Sequence, residues 1–309
     1  MPKISVIIPV YGVEKYIERC ANSLFLQTLD DIEFIFVDDC SPDKSVDIVR
    51  KVLSLYPSRI SQVKFHRMPH NSGLPTVRKV GIGLATGEYI AHCDSDDWVD
   101  VHMYEIMYNH AKSKNIDIVY CDYYKSDGTN SSYIKQPIIE GLMSGPVWNK
   151  LVKASIYENE IYYPKENKAE DGALMMQLSY YAQSSSHISQ ALYYYFFNPQ
   201  SICHVPSVEA CLERHCQECA NLNLRLSFLK EKEAEAEYKD DIVAWKFAAR
   251  KNLLPLVKEK KYYDLWLNTY PEINSCIFSC QKMPLKSKLL YLIVRFRIYS
   301  TVQNILHFH

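Results

Sequence analysis

The stretch EYIAHCDSDD, residues 88–97, decides how the rest of the chain is interpreted. Its apolar run ends in three carboxylates within four residues, Asp94, Asp96 and Asp97. In an open α/β sheet, ligands bind at the edge formed by the C-terminal ends of the strands. Carboxylate oxygens there suit a hard cation such as Mg²⁺ or Mn²⁺, which usually also contacts a substrate phosphate. The stretch therefore predicts a buried strand that presents a metal site; the alternative is an acidic cap for the following helix.

The composition narrows the class of protein. The chain has 309 residues, 48% hydrophobic residues and a net charge of −1. Residues 1–110 hold 11 Lys and Arg against 15 Asp and Glu, so this N-terminal part is not expected to bind a polyanion such as nucleic acid. Ten scattered cysteines, no visible leader and no apolar stretch near the roughly 20 residues of a membrane span predict a cytoplasmic protein.

The hydrophobic pattern alternates between strands and helices. Apolar runs predict strands at residues 3–9, 32–37, 60–66, 88–93 and 117–123, and helical spacing predicts helices at 13–27, 46–56, 75–85 and 100–113. Such alternation predicts an α/β fold with a mostly parallel sheet. The acids after the second strand, Asp38 and Asp39, would then share an edge with Asp94 and Asp96. Further on, 147–155 and 168–181 are predicted as helices and 188–197 as a strand.

Two domains are predicted. Residues 1–205 form the α/β unit that holds the acidic segments, and residues 206–309 form a largely helical extension that contacts a membrane surface or another subunit. The last part of the extension is unusual, because residues 273–309 hold five Lys and Arg and no acid. Residues 285–306 are therefore predicted either to lie on an anionic membrane or to dock on the domain as a basic helix.

Several ordered motifs resemble the N-terminal region of family 2 glycosyltransferases, which have the GT-A fold. They are SVIIPVY (5–11), EKYI (14–17), FVDDCSPD (36–43), NSGL (71–74), RKVG (78–81), ATGEYI (85–90) and DSDD (94–97). Cys40 stands where the family usually has glycine, and Lys79 where it usually has asparagine. The resemblance covers about residues 1–205 and implies that they form a nucleotide-sugar-binding and catalytic domain. Several motifs in matching order are more specific than any one alone.

The resemblance implies a donor site for a nucleoside-diphosphate sugar, with a UDP-sugar as the expected donor. The residues expected to bind the donor nucleotide are Pro9, Tyr11, Asp38, Asp39, Arg78, Asp94 and Ser95. Asp96 is the principal expected ligand of Mn²⁺ or Mg²⁺, with Asp94 as a second and His204 as a possible completion of the metal shell. The alternatives are helix capping for the acids, a surface ion pair for Arg78 and a structural role for His204.

The resemblance also implies a general base for inverting transfer. The KAEDG stretch, residues 168–172, matches the family's E-D pair, so Asp171 is the expected base and Glu170 the substitute. Trp148 and Lys150, in a WNK stretch, are expected to contact the acceptor. The alternatives are that Asp171 caps a helix and that Trp148 packs in the core.

The expected activity is a single sugar addition. The Q-x-x-R-W motif and flanking membrane spans of the family's processive branch do not occur in the sequence. The resemblance suggests a role in cell-surface polysaccharide synthesis, with a saccharide or lipid-linked saccharide as acceptor and peripheral contact with the inner face of the membrane. The alternative function is a non-catalytic sugar-nucleotide-binding protein of the same fold.

Overall fold

The computed structural model describes residues 1–135, 145–197 and 207–299. The chain divides into two compact units, residues 1–198 and residues 199–309. The predicted domain boundary at residue 205 falls outside the described residues and stays a prediction. Within the described ranges, no helix is both long and apolar enough to cross a bilayer.

The described part of the first unit holds one sheet of nine strands. They are β1 (Ile4–Val10), β2 (Ile32–Asp38), β3 (Val63–Arg67), β4 (Tyr89–His92), β5 (Trp98–Val99), β6 (Ile118–Ser126), β7 (Ser131–Ile134), β8 (Lys150–Lys153) and β9 (Ser185–Phe196). The order is β3–β2–β1–β4–β8–β6–β9–β5, with β7 paired to β6. Strands β1 to β4 are parallel, as predicted, whereas β8 is antiparallel to both β4 and β6 and makes the whole sheet mixed.

The described helices follow the sheet in chain order. In the first unit they are α1 (Ile17–Phe25), α2 (Ser45–Leu53), α3 (Leu74–Leu84), α4 (Met103–Lys114) and α5 (Glu170–Tyr181). In the second unit they are α6 (Val208–Glu231), α7 (Lys239–Ala249), α8 (Lys260–Asn268) and α9 (Leu285–Arg295). Short 3-10 helices span Pro57–Gln62, Ala154–Glu158, Arg250–Leu256 and Pro271–Ser275.

The helix predicted at residues 147–155 is wrong. This segment forms strand β8 and then the 3-10 helix from Ala154. Its apolar residues recur at helical spacing, but β8 lies between β4 and β6, where its backbone groups pair on both sides. Pairing with two neighbouring strands outweighs the weak local preference of so short a segment.

A close contact between α3 and β1 sets the position of α3. A Cβ atom added to Gly81 would collide with the Ile7 side chain on β1. Glycine at this point lets the helix approach the sheet more closely than a larger residue would. Since Arg78 lies one turn earlier on α3, this contact also positions its guanidinium group.

The tight turn after β2 leads to a prediction on stability. Cys40 has φ of +61°, a left-handed conformation that costs a residue with a Cβ roughly 1–2 kcal/mol. Cys40→Gly should raise the free energy of unfolding by about 1 kcal/mol, measured by urea denaturation. Cys40→Ala is the control, because it removes the same thiol and keeps the Cβ. An equal gain from both variants would mean that strain at this residue is not the cause.

Candidate active site

The predicted meeting of the two acidic segments is observed. Parallel β1, β2 and β4 have the same direction, with Val10 level with Asp38 and Ile7 level with His92. The loop that carries Asp94 and Asp96 follows β4 directly, so both acidic segments lie at the C-terminal edge of the sheet. This is the edge at which open α/β sheets bind their ligands.

Arg78 joins two distant segments at this edge. Its guanidinium group is buried, and Nη2 donates to Asp94 Oδ1 at 3.0 Å. Its Nε lies 2.9 Å from Glu170 Oε1, and the same Nη2 lies 3.4 Å from Asp171 Oδ1. One buried cation therefore ties the acidic loop after β4 to the start of α5. This excludes the alternative that Arg78 makes only a surface ion pair.

The two acids of the E-D pair have different environments. Both lie in the first turn of α5, but the Glu170 side chain is only 2% exposed and that of Asp171 is 24% exposed. Asp171 Oδ2 also accepts a hydrogen bond from the Val147 backbone at 3.4 Å. Glu170 is therefore placed as a counter-ion of Arg78, whereas Asp171 remains open to a substrate.

Arg78, Asp94, Glu170 and Asp171, here called the Arg78 cluster, combine one cation with three carboxylates. Burial opposes the charge on Arg78, but Glu170, Asp94 and Asp171 outweigh burial and hold its pKa above the usual value. One guanidinium cannot compensate three carboxylates, so burial leaves the pKa of Glu170 and of Asp94 raised. Burial also acts on Asp171, but Arg78 and Glu170 lower its pKa, so this carboxylate is ionised at neutral pH.

A neutral histidine lies beside the cluster. His92, on β4, is buried, and burial together with Arg78 lowers its pKa to about 3. Within the described ranges, neither of its ring nitrogens has a hydrogen-bond partner. The imidazole therefore adds no positive charge next to Arg78.

The oxygen donors of the loop after β4 fit a hard divalent cation. Burial and the neighbouring Asp94 raise the pKa of Asp96 to about 6, as expected for a carboxylate covered by protein next to a second carboxylate. Among the described residues, no three His, Cys, Asp or Glu side chains converge as a closed metal site. Asp94 and Asp96 would thus supply two ligands and leave other positions to phosphate oxygens and water, which is how Mg²⁺ is usually bound. The predicted third ligand, His204, lies outside the described residues.

The third acid of the loop has a structural role that the sequence did not reveal. Asp97 is buried; Oδ2 accepts a hydrogen bond from the Tyr193 hydroxyl at 2.6 Å, and Oδ1 accepts one from the Phe196 backbone at 2.6 Å. The Tyr193 hydroxyl in turn accepts a hydrogen bond from the Asp94 backbone at 3.1 Å. Asp97 therefore fastens the acidic loop to β9.

Arg19 is a second residue that the sequence did not single out. Its guanidinium group stacks on the Trp98 ring at 3.6 Å, and Nη2 donates to the Asp96 carbonyl at 3.2 Å. These contacts hold the backbone of the expected metal ligand from the side of α1. An arginine in an amphipathic helix carries no signal for such a contact, because its target lies 77 positions away.

The residues expected to bind the nucleoside lie at the same edge. Pro9 is buried in β1, and Tyr11, just after β1, is 50% exposed and free to stack on a base. Asp39 accepts hydrogen bonds from the backbones of Ser72 and Gly73 at 2.7 and 2.9 Å. Asp38 accepts one from Ser41 at 2.7 Å and pairs with Arg67 at 3.0 Å. Both aspartates thus hold neighbouring loops, and their contact with a nucleotide stays a prediction.

The two expected acceptor residues are buried. Trp148 stacks on Tyr193 with ring centroids 4.3 Å apart and meets Tyr123 edge to face at 4.9 Å. Lys150 Nζ donates to the Asn149 side chain at 2.8 Å, and burial lowers its pKa to about 8. The structure supports the alternative of core packing for Trp148. Both side chains are almost fully covered, and their contact with an acceptor stays a prediction.

Comparison with known proteins agrees with this geometry. The sequence profile named Glycosyl transferase family 2 matches residues 5–182, more than half of the chain. The chain belongs to family 2 of the glycosyltransferases. The two segments of the candidate site, the loop after β4 and the start of α5, both lie inside the matched range. The expectation of a glycosyltransferase enzyme is confirmed.

Two proteins that are named as glycosyltransferases are similar to this chain in sequence. The uncharacterized glycosyltransferase EpsJ of Bacillus subtilis is 30% identical over 237 residues, which are 70% of this chain and 67% of EpsJ. The poly(ribitol-phosphate) beta-N-acetylglucosaminyltransferase TarS of Staphylococcus aureus strain Mu50 is 32% identical over 211 residues, which are 63% of this chain. That alignment spans only 35% of TarS, about a third of its length.

Solved structures confirm the GT-A fold. A crystal structure of S. aureus TarS aligns with a TM-score of 0.65 and 21% identity, covering 98% of this chain and 53% of the TarS chain. The mannosyltransferase PcManGT of Pyrobaculum calidifontis, in complex with GDP-Man and Mn²⁺, aligns with a TM-score of 0.58 and 13% identity. It covers 100% of this chain and 88% of the mannosyltransferase chain. At such low identities the likeness concerns the fold alone.

Proposed function

We propose that this family 2 glycosyltransferase is metal-dependent and inverting, and that it transfers a sugar from a UDP-sugar to an acceptor hydroxyl. The observation that carries the proposal is the Arg78 cluster, which brings the expected metal ligand Asp94 and the expected base Asp171 around one guanidinium group. The charged groups proposed to act on the donor and on the acceptor therefore lie together at one edge of the sheet. Support for the donor class comes from TarS, which has been solved with UDP-GlcNAc.

The proposed reaction divides the work between the two segments. Asp94 and Asp96 would hold a divalent cation, and the cation supplies charge stabilisation for the departing diphosphate. Asp171 accepts the proton of the acceptor hydroxyl as that oxygen attacks the sugar carbon. Arg78 keeps Asp171 ionised before the attack, and Glu170 balances the buried charge of Arg78.

The proposed biological role is addition of a sugar to a cell-surface polysaccharide. This proposal is supported by a related protein, TarS, which is named for its action on poly(ribitol-phosphate). The acceptor would be a saccharide or a lipid-linked saccharide. A cytoplasmic location is supported by nine free thiols among the described cysteines, which suit a reducing compartment.

A non-catalytic binder of sugar nucleotides is the alternative function. Such a protein would need the donor site but no base. The 24% exposed, ionised Asp171 next to the donor-side cluster favours an enzyme, because a carboxylate retained only for structure would be covered as Glu170 is.

Removing the principal metal ligand tests the proposal. Asp96→Ala should lower hydrolysis of the preferred donor about 100-fold or more, since the charge that holds the cation at the leaving group is lost. A screen of UDP-, GDP- and dTDP-sugars with Mn²⁺ and with EDTA identifies that donor. Binding of Mn²⁺ with UDP, measured by calorimetry without turnover, should weaken in parallel.

The matched control is Asp31→Ala. Asp31 is an exposed aspartate at the N-terminal end of β2, on the opposite edge of the sheet. It should hydrolyse the donor at the wild-type rate. Turnover that is indifferent both to EDTA and to Asp96→Ala would refute the metal-dependent mechanism.

A further inference from the structure

The outward face of α9 is apolar. Helix α9 turns Tyr291 and Val294 inward, where Tyr291 packs against Trp266 and Phe247 of the second unit. On the opposite side, Leu285 is 72% exposed, Leu289 49% and Phe296 70%. These three residues, here called the α9 stripe, recur at spacings of four and seven, so they line one side of the helix. A row of large apolar side chains in water marks an interaction surface.

Basic residues flank the α9 stripe. At about 100° per residue, Lys286 and Lys288 fall on either side of it, and Arg295 lies at the end of the helix about two turns later. Lys288 Nζ donates to the Phe278 carbonyl at 3.0 Å, and Arg295 Nη1 donates to the Tyr263 hydroxyl at 3.4 Å. The partners of these two are therefore uncharged and leave their positive charge uncompensated. Residues 273–309 contain no Asp or Glu.

We propose that the α9 stripe and its flanking Lys and Arg residues dock on an anionic membrane surface. An interfacial helix of this kind inserts its apolar side among the lipid chains and keeps its basic residues at the headgroups. The flanking charges point to a negatively charged partner. Self-association is disfavoured, because a two-fold dimer through this face would place the same positive charges opposite each other.

This inference depends on the second unit alone and not on the proposed donor, metal or base. It adds to the proposed function a means of holding the enzyme at a membrane. With 11 residues, α9 is too short to span a bilayer and would lie along its surface.

The experiment is flotation of the full chain with vesicles of phosphatidylcholine, with or without phosphatidylglycerol. The wild-type chain should bind only the vesicles with phosphatidylglycerol, and binding should fall as salt is raised. Leu285→Ser with Leu289→Ser and Phe296→Ser should weaken binding on the order of tenfold or more. Lys286→Gln with Lys288→Gln should weaken it about 30-fold at low salt, because each basic residue near such a surface contributes about fivefold.

The matched control replaces two exposed apolar residues of the first unit, Leu55→Ser with Ile60→Ser, and should bind as the wild type does. All variants should keep the wild-type circular dichroism and donor hydrolysis, which separates a failure of docking from a failure of the proposed function. Equal binding to uncharged vesicles, or full binding by the α9 stripe variant, would overturn the proposal. So would a lipid-free dimer in sedimentation that the α9 stripe variant abolishes, because the occupant would then be a second copy.

Discussion

Arg78→Met should lower the free energy of unfolding by about 3–5 kcal/mol, because removal of one partner leaves buried charge without compensation. Arg78 is the only cation within ion-pair distance of Glu170 among the described residues, and it also contacts Asp94 and Asp171. Without it, the buried Glu170 and the partly exposed Asp94 and Asp171 either repel each other or take up protons. Urea denaturation at neutral pH measures the loss.

Two further variants identify the cause of this loss. Arg50→Met removes an exposed arginine that stacks on Phe65, and it should cost less than about 1 kcal/mol. Adding Glu170→Gln to Arg78→Met should recover part of the stability, since the double variant has one buried carboxylate fewer. If Arg78→Met costs no more than Arg50→Met, the Arg78 cluster does not hold the fold together.

Asp171→Asn should reduce sugar transfer about 10²- to 10⁴-fold, the usual contribution of a general base. Asparagine has nearly the same shape and can keep the contact with the Val147 backbone, but it cannot accept the proton of the acceptor hydroxyl. Donor affinity, measured by calorimetry with UDP and Mn²⁺, should stay close to that of the wild type. Unfolding should change little, because Arg78 keeps its contacts with Asp94 and Glu170.

Glu170→Gln separates the two candidate bases. Glu170 is covered and contacts Arg78, so this variant should affect stability more than the chemical step. If Asp171→Asn still transfers sugar at the wild-type rate and Glu170→Gln does not, Glu170 is the base. A chain unaffected by either substitution would place the base elsewhere.

Much of the first unit was predictable because three of its strands, β1, β2 and β4, are buried on both faces. Continuous apolar runs correspond to β1, β2 and β4, and helical spacing corresponds to α1, α2 and α3. The segment around β8 was mispredicted, since nothing within its few residues shows that two other strands will pair with it. The predicted strand at 188–197 and helix at 168–181 are confirmed as β9 and α5.

The family, the fold class and the segments that hold the acids were determined by the sequence alone, because motifs and periodicity are local properties of a chain. The tertiary structure decided how those acids are used. Asp97 accepts a hydrogen bond from Tyr193, Glu170 forms an ion pair with Arg78, and Asp171 stays partly exposed. Trp148, expected at the acceptor, is in the core.

The physical reason is that a carboxylate has the same sequence letter whether it binds a cation, a hydroxyl or a guanidinium group. Side-chain direction and burial determine which partner a carboxylate has. Here Glu170 and Arg78 lie 92 positions apart in the sequence, and Asp97 and Tyr193 lie 96 apart. The stretch at residues 88–97 thus predicted a charged site. Only the packing of α3, α5 and β9 around it distinguished the accessible carboxylate from those that hold the site in place.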